Sequence, residues 1–214
     1  MLKSFLGAAI LAQLATVFLA PVAIAAPTAA LADRIDTPKD AVVDHLGVPG
    51  PIAFDGTSYE LAWSSRPAPN YIKQEYVPSG QNVERYTRML LVEAVTGGVK
   101  TVDAVRNQVD MLNKRKSSDP LVKMNIIQNE STGEVLLDFL VSSKDANGEY
   151  VVEWNGYRYA PYRSVSGQSG VLLNAISHRA YGNENAKAFM SGLKELRAKQ
   201  IKALAGMALS PSNR

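Results

Sequence analysis

The chain contains no cysteine. That absence excludes a disulfide framework, thiolate catalysis, cysteine metal ligands and a lipid-modified N-terminal cysteine. Histidine is almost as scarce: His45 and His178 are the only two in 214 residues. Two distant histidines without cysteine cannot build a His- or Cys-rich metal centre. The glycine motifs of nucleotide binding are missing as well. Gly97-Gly98 and the Gly167–Gly170 stretch have neither the G-x-G-x-x-G nor the P-loop spacing. No G-x-S-x-G nucleophile elbow occurs, so "SGQSG" reads as a flexible turn. A nucleophilic serine needs a base within hydrogen-bond reach, and His178 is the one candidate base. No cofactor is expected.

Charge of one sign is also lacking. Lys and Arg number 23 against 20 Asp and Glu, a formal net charge of +3. The one dense basic cluster, Lys114-Arg115-Lys116, falls where a helix should end and its cations complement the macrodipole. Nucleic-acid binding calls for a clustered basic face, and no nucleic-acid partner is expected.

What is present begins with an apolar run from Phe5 to Ala20, broken only by Gln13 and Thr16 and preceded by Lys3. Ala23-Ile24-Ala25 fits the A-x-A pattern of a signal-peptidase cut, and Ala30-Leu31-Ala32 offers a second. A membrane-spanning helix needs about 20 apolar residues. This run is shorter and closes on Pro21, so residues 1–25 read as a signal peptide that leaves no permanent anchor. Export without any cysteine points to a bacterial envelope protein, periplasmic or secreted. Residues 26–51, rich in Ala, Pro and small polar residues and closing on Gly47-Val48-Pro49-Gly50-Pro51, read as a flexible lead-in containing His45. Residues 52–207 read as one domain, and 208–214 as a tail.

Within the domain, "IAFDGTSYELAWSS" predicts a hairpin turning at Asp55-Gly56. Val102, Val105, Val109 and Leu112 recur at helical spacing behind Thr101, a suitable N-cap. Three strands with turns at 129–133 and 144–148 follow. Then comes the aromatic, basic stretch "GYRYAPYRSVSGQSG", read as a loop or strand extension, and another strand, "VLLNAISHRAY". Asn183 is placed to cap a final helix that turns Phe189, Leu193, Leu196 and Met207 inward. Its Lys187, Lys194, Lys199 and Lys202 form a solvated face. Six to eight clustered strands and two substantial helices predict an α+β fold: a single antiparallel sheet with two main helices packed on it.

The densest chemistry lies on the last two predicted strands: Glu153, Arg158, Tyr159, His178 and Arg179. Strand alternation sets Leu172, Ile176 and His178 on one face and Leu173, Ala175 and Arg179 on the other. An unpaired buried arginine costs several kcal/mol, so Arg179 requires a partner, with Glu153 and Glu93 as candidates. The five residues, with nearby tyrosines, are the candidate binding surface for an anion or a peptide. Strand carboxylates at Glu75, Glu93, Asp138 and Glu153 could form a glycosidase pair. Twenty acidic residues make some such pair inevitable, so the pattern carries little.

The order of elements resembles the PsbP-like fold of small exported or lumenal proteins. The stretch "EYVPSGQNVERYTRMLLVEAV" is similar to one in uncharacterised bacterial envelope proteins, with Tyr86 as the aromatic before the strand. The similarity spans about residues 52–205 and contains no catalytic motif. PsbP-like domains mostly bind or assemble, so the resemblance implies interaction rather than catalysis. The expectation is an exported, non-enzymatic module that binds an envelope protein partner. Its alternatives are an envelope hydrolase using carboxylates or His178, and a small-ligand carrier.

Overall fold

The computed structural model describes residues 42–208 and residue 211. The expected signal peptide and residues 26–41 of the expected lead-in lie outside the described residues, as does most of the expected tail. The chain forms β1 (Ile52–Phe54), β2 (Thr57–Ala68), β3 (Tyr71–Val77), β4 (Arg88–Thr96), α1 (Thr101–Arg115), β5 (Lys123–Asn129), β6 (Glu134–Lys144), β7 (Tyr150–Arg163), β8 (Ser169–Tyr181) and α2 (Asn183–Ala205). All eight strands join one sheet in the order β1-β2-β3-β4-β8-β7-β6-β5, every pair antiparallel. The α+β class, with one antiparallel sheet and two helices, is thus as expected.

Two four-stranded meanders make the sheet, and their seam is the β4–β8 pair. α1 carries the chain from that seam across β8, β7 and β6 to the far edge, where β5 begins. α2 turns back beneath β8, β7 and β6 on the opposite face. The helices therefore cover different faces rather than sharing one. Alternation along each strand supplies both with apolar ground. Leu137, Tyr157, Leu173 and Ala175 pack toward α1, and Leu90, Trp154, Leu172 and Ile176 pack toward α2. The β1–β2 hairpin turns where Asp55 and Gly56 both adopt positive φ, 46° and 75°. That pair of values is what a two-residue hairpin turn demands.

Several local expectations shift. The lead-in is not loose up to residue 51, because Leu46 and Val48 are buried against the α2 face. Gln74 Oε1 accepts hydrogen bonds from the amides of His45 and Leu46, at 2.6 and 3.0 Å. Tyr76 donates its hydroxyl to the Val48 carbonyl at 2.6 Å. Two polar side chains of β3 thus fasten a segment whose Gly and Pro content had suggested a linker.

Neither predicted cap operates. α1 is preceded by an extended Lys100 with no side-chain cap, and Thr101 is already helical. At α2 the N-cap position falls on Gly182, because Asn183 Oδ1 instead accepts the Tyr150 amide at 3.0 Å. The inward face of α1 is Ala104, Val105, Gln108 and Leu112, while Val102 is exposed. On α2 the deepest residues are Ala186, Gln200 and Leu204.

Candidate functional site

Strand pairing decides which of the five candidate residues meet. β7 and β8 run antiparallel with Glu153 opposite Arg179 and Trp154 opposite His178. Paired residues share a face, so Glu153, Tyr159 and Arg179 look toward α1, and Arg158 and His178 look toward α2. The sheet therefore splits the constellation in two. An anion site joining Arg158 to Arg179 is not formed.

On the α1 face Arg179 forms a buried ion pair with Glu153 through its Nε. Its Nη2 donates to the Tyr86 hydroxyl at 2.7 Å, and that hydroxyl donates to Glu153 Oε2 at 3.1 Å. The guanidinium also lies 4.1 Å from the Tyr86 ring centroid, a cation–π contact. Burial pushes the Glu153 carboxyl up, and the guanidinium opposes that shift. Glu153 Oε1 and Asn155 Nδ2 are both buried and face each other without a well-formed hydrogen bond. Glu93, the other candidate partner of Arg179, instead accepts the Tyr71 hydroxyl at 2.7 Å. Tyr159 lies deep under α1, where burial holds its phenol well above the ordinary value.

The α2 face treats its two residues differently. Arg158 grips Glu134 through Nε and Nη2, at 3.3 and 2.7 Å, and donates Nη1 to the Met207 carbonyl at 2.6 Å. It fastens the end of the last helix to β6. His178 sits against Trp154, ring centroids 6.1 Å apart, under the side chain of Gln200. Burial pushes its pKa down to about 4, with Arg88 and Lys199 assisting and Gln200 and Asp55 opposing. The imidazole is neutral at neutral pH. Among the described residues no hydroxyl donates to it or accepts from it.

One of these groups reaches a cleft. Where β8 ends, the loop before β4, the β6–β7 turn and the C-terminus of α1 surround a hollow of about 420 Å³. Glu153 and Arg179 form part of its floor, and Glu84, Arg85, Lys144 and Glu149 stand on its walls. Arg115 reaches it from the end of α1, already committed to Asp119 at 2.9 Å and to the Ser142 carbonyl at 2.6 Å. The four wall residues make no ion pair among the described residues; Arg85 stacks on Tyr181 at 4.6 Å and Lys144 on Tyr150 at 5.3 Å. The floor is a buried ion pair braced by Tyr86, with one carboxylate oxygen lacking a well-formed hydrogen bond, and the walls carry free charge of both signs.

Sequence reasoning found the floor, because opposite charges on adjacent strands announce themselves. It missed Tyr86, which stands 67 residues from Glu153 and 93 from Arg179. The walls were missed too, since they come from the β3–β4 loop and from the end of β6 with its following turn, which only the sheet order brings together. His45, the second histidine, lines a smaller cleft of about 270 Å³ at the opposite end of the sheet, beside Arg66 and Tyr162.

A family model matches residues 46–209, and the chain belongs to that family, which is uncharacterised. The match opens at Leu46, the first buried core residue among the described residues. No protein of curated function matches the chain.

Proposed function

We propose that the chain is an exported periplasmic protein that works as a non-enzymatic binding module, docking a protein partner of the envelope in the cleft at the end of β8. The observation that carries this reading is the division of labour in that cleft. Its buried pair is closed over by Tyr86, whereas Glu84, Arg85, Lys144 and Glu149 present charge without an ion-pair partner to solvent. Exposed charges of both signs, flanked by Tyr150 and Tyr181, match the polar rim of a recognition surface. A partner segment bearing both acidic and basic side chains complements them.

Catalysis finds less support. Glu153 is closed in by Arg179 and Tyr86, and His178 is neutral, buried and on the other face of the sheet. The signal-like N-terminus and the resemblance to PsbP-like modules argue for export and for interaction.

The test compares native-envelope pull-downs with the wild-type chain and with an Arg85→Glu/Lys144→Glu variant. A specific protein enriched by the wild type should be lost at least about tenfold from the variant, as expected for two rim charges reversed. Circular dichroism and thermal melting confirm that both proteins are folded. Equal enrichment by both, or none by either, would remove the cleft as the docking site.

A further inference from the structure

The smaller hollow, of about 270 Å³, lies at the end of the sheet where β7 turns into β8. Each of its walls is fastened by hydrogen bonds within the protein. The segment before β1 is held by Gln74 Oε1, which accepts the His45 and Leu46 amides. The β2–β3 turn is tied to the end of β4. There the Thr96 amide donates to the Asn70 carbonyl at 2.8 Å, and Asn70 Nδ2 donates to the Thr96 carbonyl at 3.1 Å. The β7–β8 turn closes on itself: the Ser164 amide donates to the Gln168 carbonyl and the Gly167 amide to the Ser164 carbonyl, both at 2.9 Å. Small-ligand sites are largely pre-formed in this way. The walls are thus fixed while their recognition groups stay unspent. Among the described residues the side chains of His45, Arg66 and Tyr162, all lining the hollow, make no hydrogen bond or ion pair. No carboxylate lines it, and Arg66 is its one permanently charged side chain. The nearest acid in sequence, Asp44, accepts the amides of Leu46 and Val48 at 3.1 and 3.0 Å. Apolar ground adjoins these groups: Leu46 and Ala94 are buried, Ile72 is half-buried, and Val165, 69% exposed, stands at the rim.

We propose that this hollow binds a monocarboxylate carried on a small apolar body. The planar guanidinium fork of Arg66 matches the two oxygens of a carboxylate, and the Tyr162 hydroxyl supplies a further donor. One fixed positive charge balances a monoanion, whereas a phosphate dianion would leave the recess negative. Leu46, Ile72 and Ala94 receive the apolar body. At about 270 Å³ the recess falls below the roughly 300–1,000 Å³ of drug-sized sites, so that body is on the order of one aromatic side chain. Arg66 is exposed, its attraction is partly screened, and binding falls in about the millimolar range. A free small acid and the last residue of a peptide present this same chemistry. The site is separate from the cleft at the other end of the sheet and stands whether or not a protein docks there.

The test is a titration of the folded protein followed by amide NMR shifts. The probes are phenylacetate, phenylacetamide and an acetylated dipeptide ending in leucine with a free carboxylate. Phenylacetate or the peptide should give saturable shifts at Leu46, Asn70, Thr96 and Gln168, and phenylacetamide should bind at least about tenfold more weakly than phenylacetate. Arg66→Gln should weaken the acid by about tenfold and leave the amide as it was, with Arg66→Lys in between. Lys187→Gln, on the exposed side of α2, should change nothing. Arg66 is exposed, so equal melting temperatures across these variants exclude misfolding as the cause. Saturation by phenylacetate alone assigns the site to free acids, and saturation by the peptide alone assigns it to chain ends. Shifts from neither acid overturn the proposal. So does equal binding of acid and amide, or an Arg66→Gln variant that binds the acid as the wild type does.

Discussion

The two faces of the sheet both bury charge, but they use it for different ends. On the α1 face the polar links run between neighbouring strands or along one strand. Glu153 meets Arg179 across β7 and β8, Tyr71 meets Glu93 across β3 and β4, and Lys73 meets Glu75 within β3 at 2.7 Å. α1 lies over them with Ala104, Val105 and Leu112, and Arg115 ties down its C-terminal end alone. On the α2 face Arg158 also joins β7 to Glu134 on β6, but the other ion pairs run from α2 to the strands and their turn. Arg197 pairs with Asp138 on β6, while Gln200 and Lys199 reach Asp55 at 2.7 and 2.8 Å. Arg158 holds the Met207 carbonyl just beyond the helix end. Polar links thus fix strand register chiefly on one side and helix position chiefly on the other. Register needs pairs that cannot slip, and a one-residue slip would carry Arg179 to the opposite face.

The largest expected effect breaks the α1 side. Glu153→Ala leaves Arg179 buried without its counter-ion and should cost about 3–5 kcal/mol in urea unfolding. A loss under about 1 kcal/mol would mean that Tyr86 suffices to hold the guanidinium, and the contrast between the faces would fail.

The next effect belongs to His178 under α2. Its folded pKa of about 4 lies below the unfolded value of 6.5. Between those values the unfolded chain binds the extra proton, so stability rises with pH and is lost as pH falls from 6.5 toward 4. The slope from this group approaches about 1.4 kcal/mol per pH unit at most. Carboxylates titrate over the same range, so the measurement is the difference between wild type and His178→Gln, which should be flatter there. Identical slopes would show that the imidazole is solvated.

A smaller effect tests helix placement. Arg197 is half-exposed and its partner Asp138 is buried. Arg197→Ala should lower stability by about 1–2 kcal/mol and speed amide exchange in α2 before that in β7 and β8. Uniform acceleration across the sheet would contradict a link specific to the helix. Smallest of all, Arg85→Glu should change stability by less than about 0.5 kcal/mol, because its charge faces the cleft and makes no ion pair.

Much of this arrangement is legible in the residues alone, and the reason is parity. An odd separation along a strand sends side chains to opposite faces, which separates His178 from Arg179 before any coordinates exist; the same rule divides Glu153 from Arg158, a split that the single five-residue surface overlooks. The Asp55-Gly56 turn is equally legible, since few residue pairs accept two positive φ values in succession. What sequence reasoning lacks is anything set by sheet order. Leu46 and Val48 are held to the sheet by Gln74 and Tyr76, and that neighbourhood is visible only once β3 is placed. Tyr86 completes the Arg179 pair by way of the β4–β8 seam. The assignment of one helix to each face escapes for the same cause. Helical spacing says which stripe is buried and is silent on which side of the sheet buries it.

The seam itself has a bearing on how the protein comes into being. Among the described residues β8 is the last strand in sequence, and it occupies the middle of the sheet, between β4 and β7. A polypeptide emerging N-terminus first can complete β1 to β4 and later β5 to β7, yet both halves keep a raw inner border until residue 169 arrives. Closure is therefore a late event that requires contacts between distant parts of the chain, the kind that form slowly. Any product that stops short of β8 carries two unsealed half-sheets, which makes the stretch from Ser169 onward the portion on which solubility during synthesis depends.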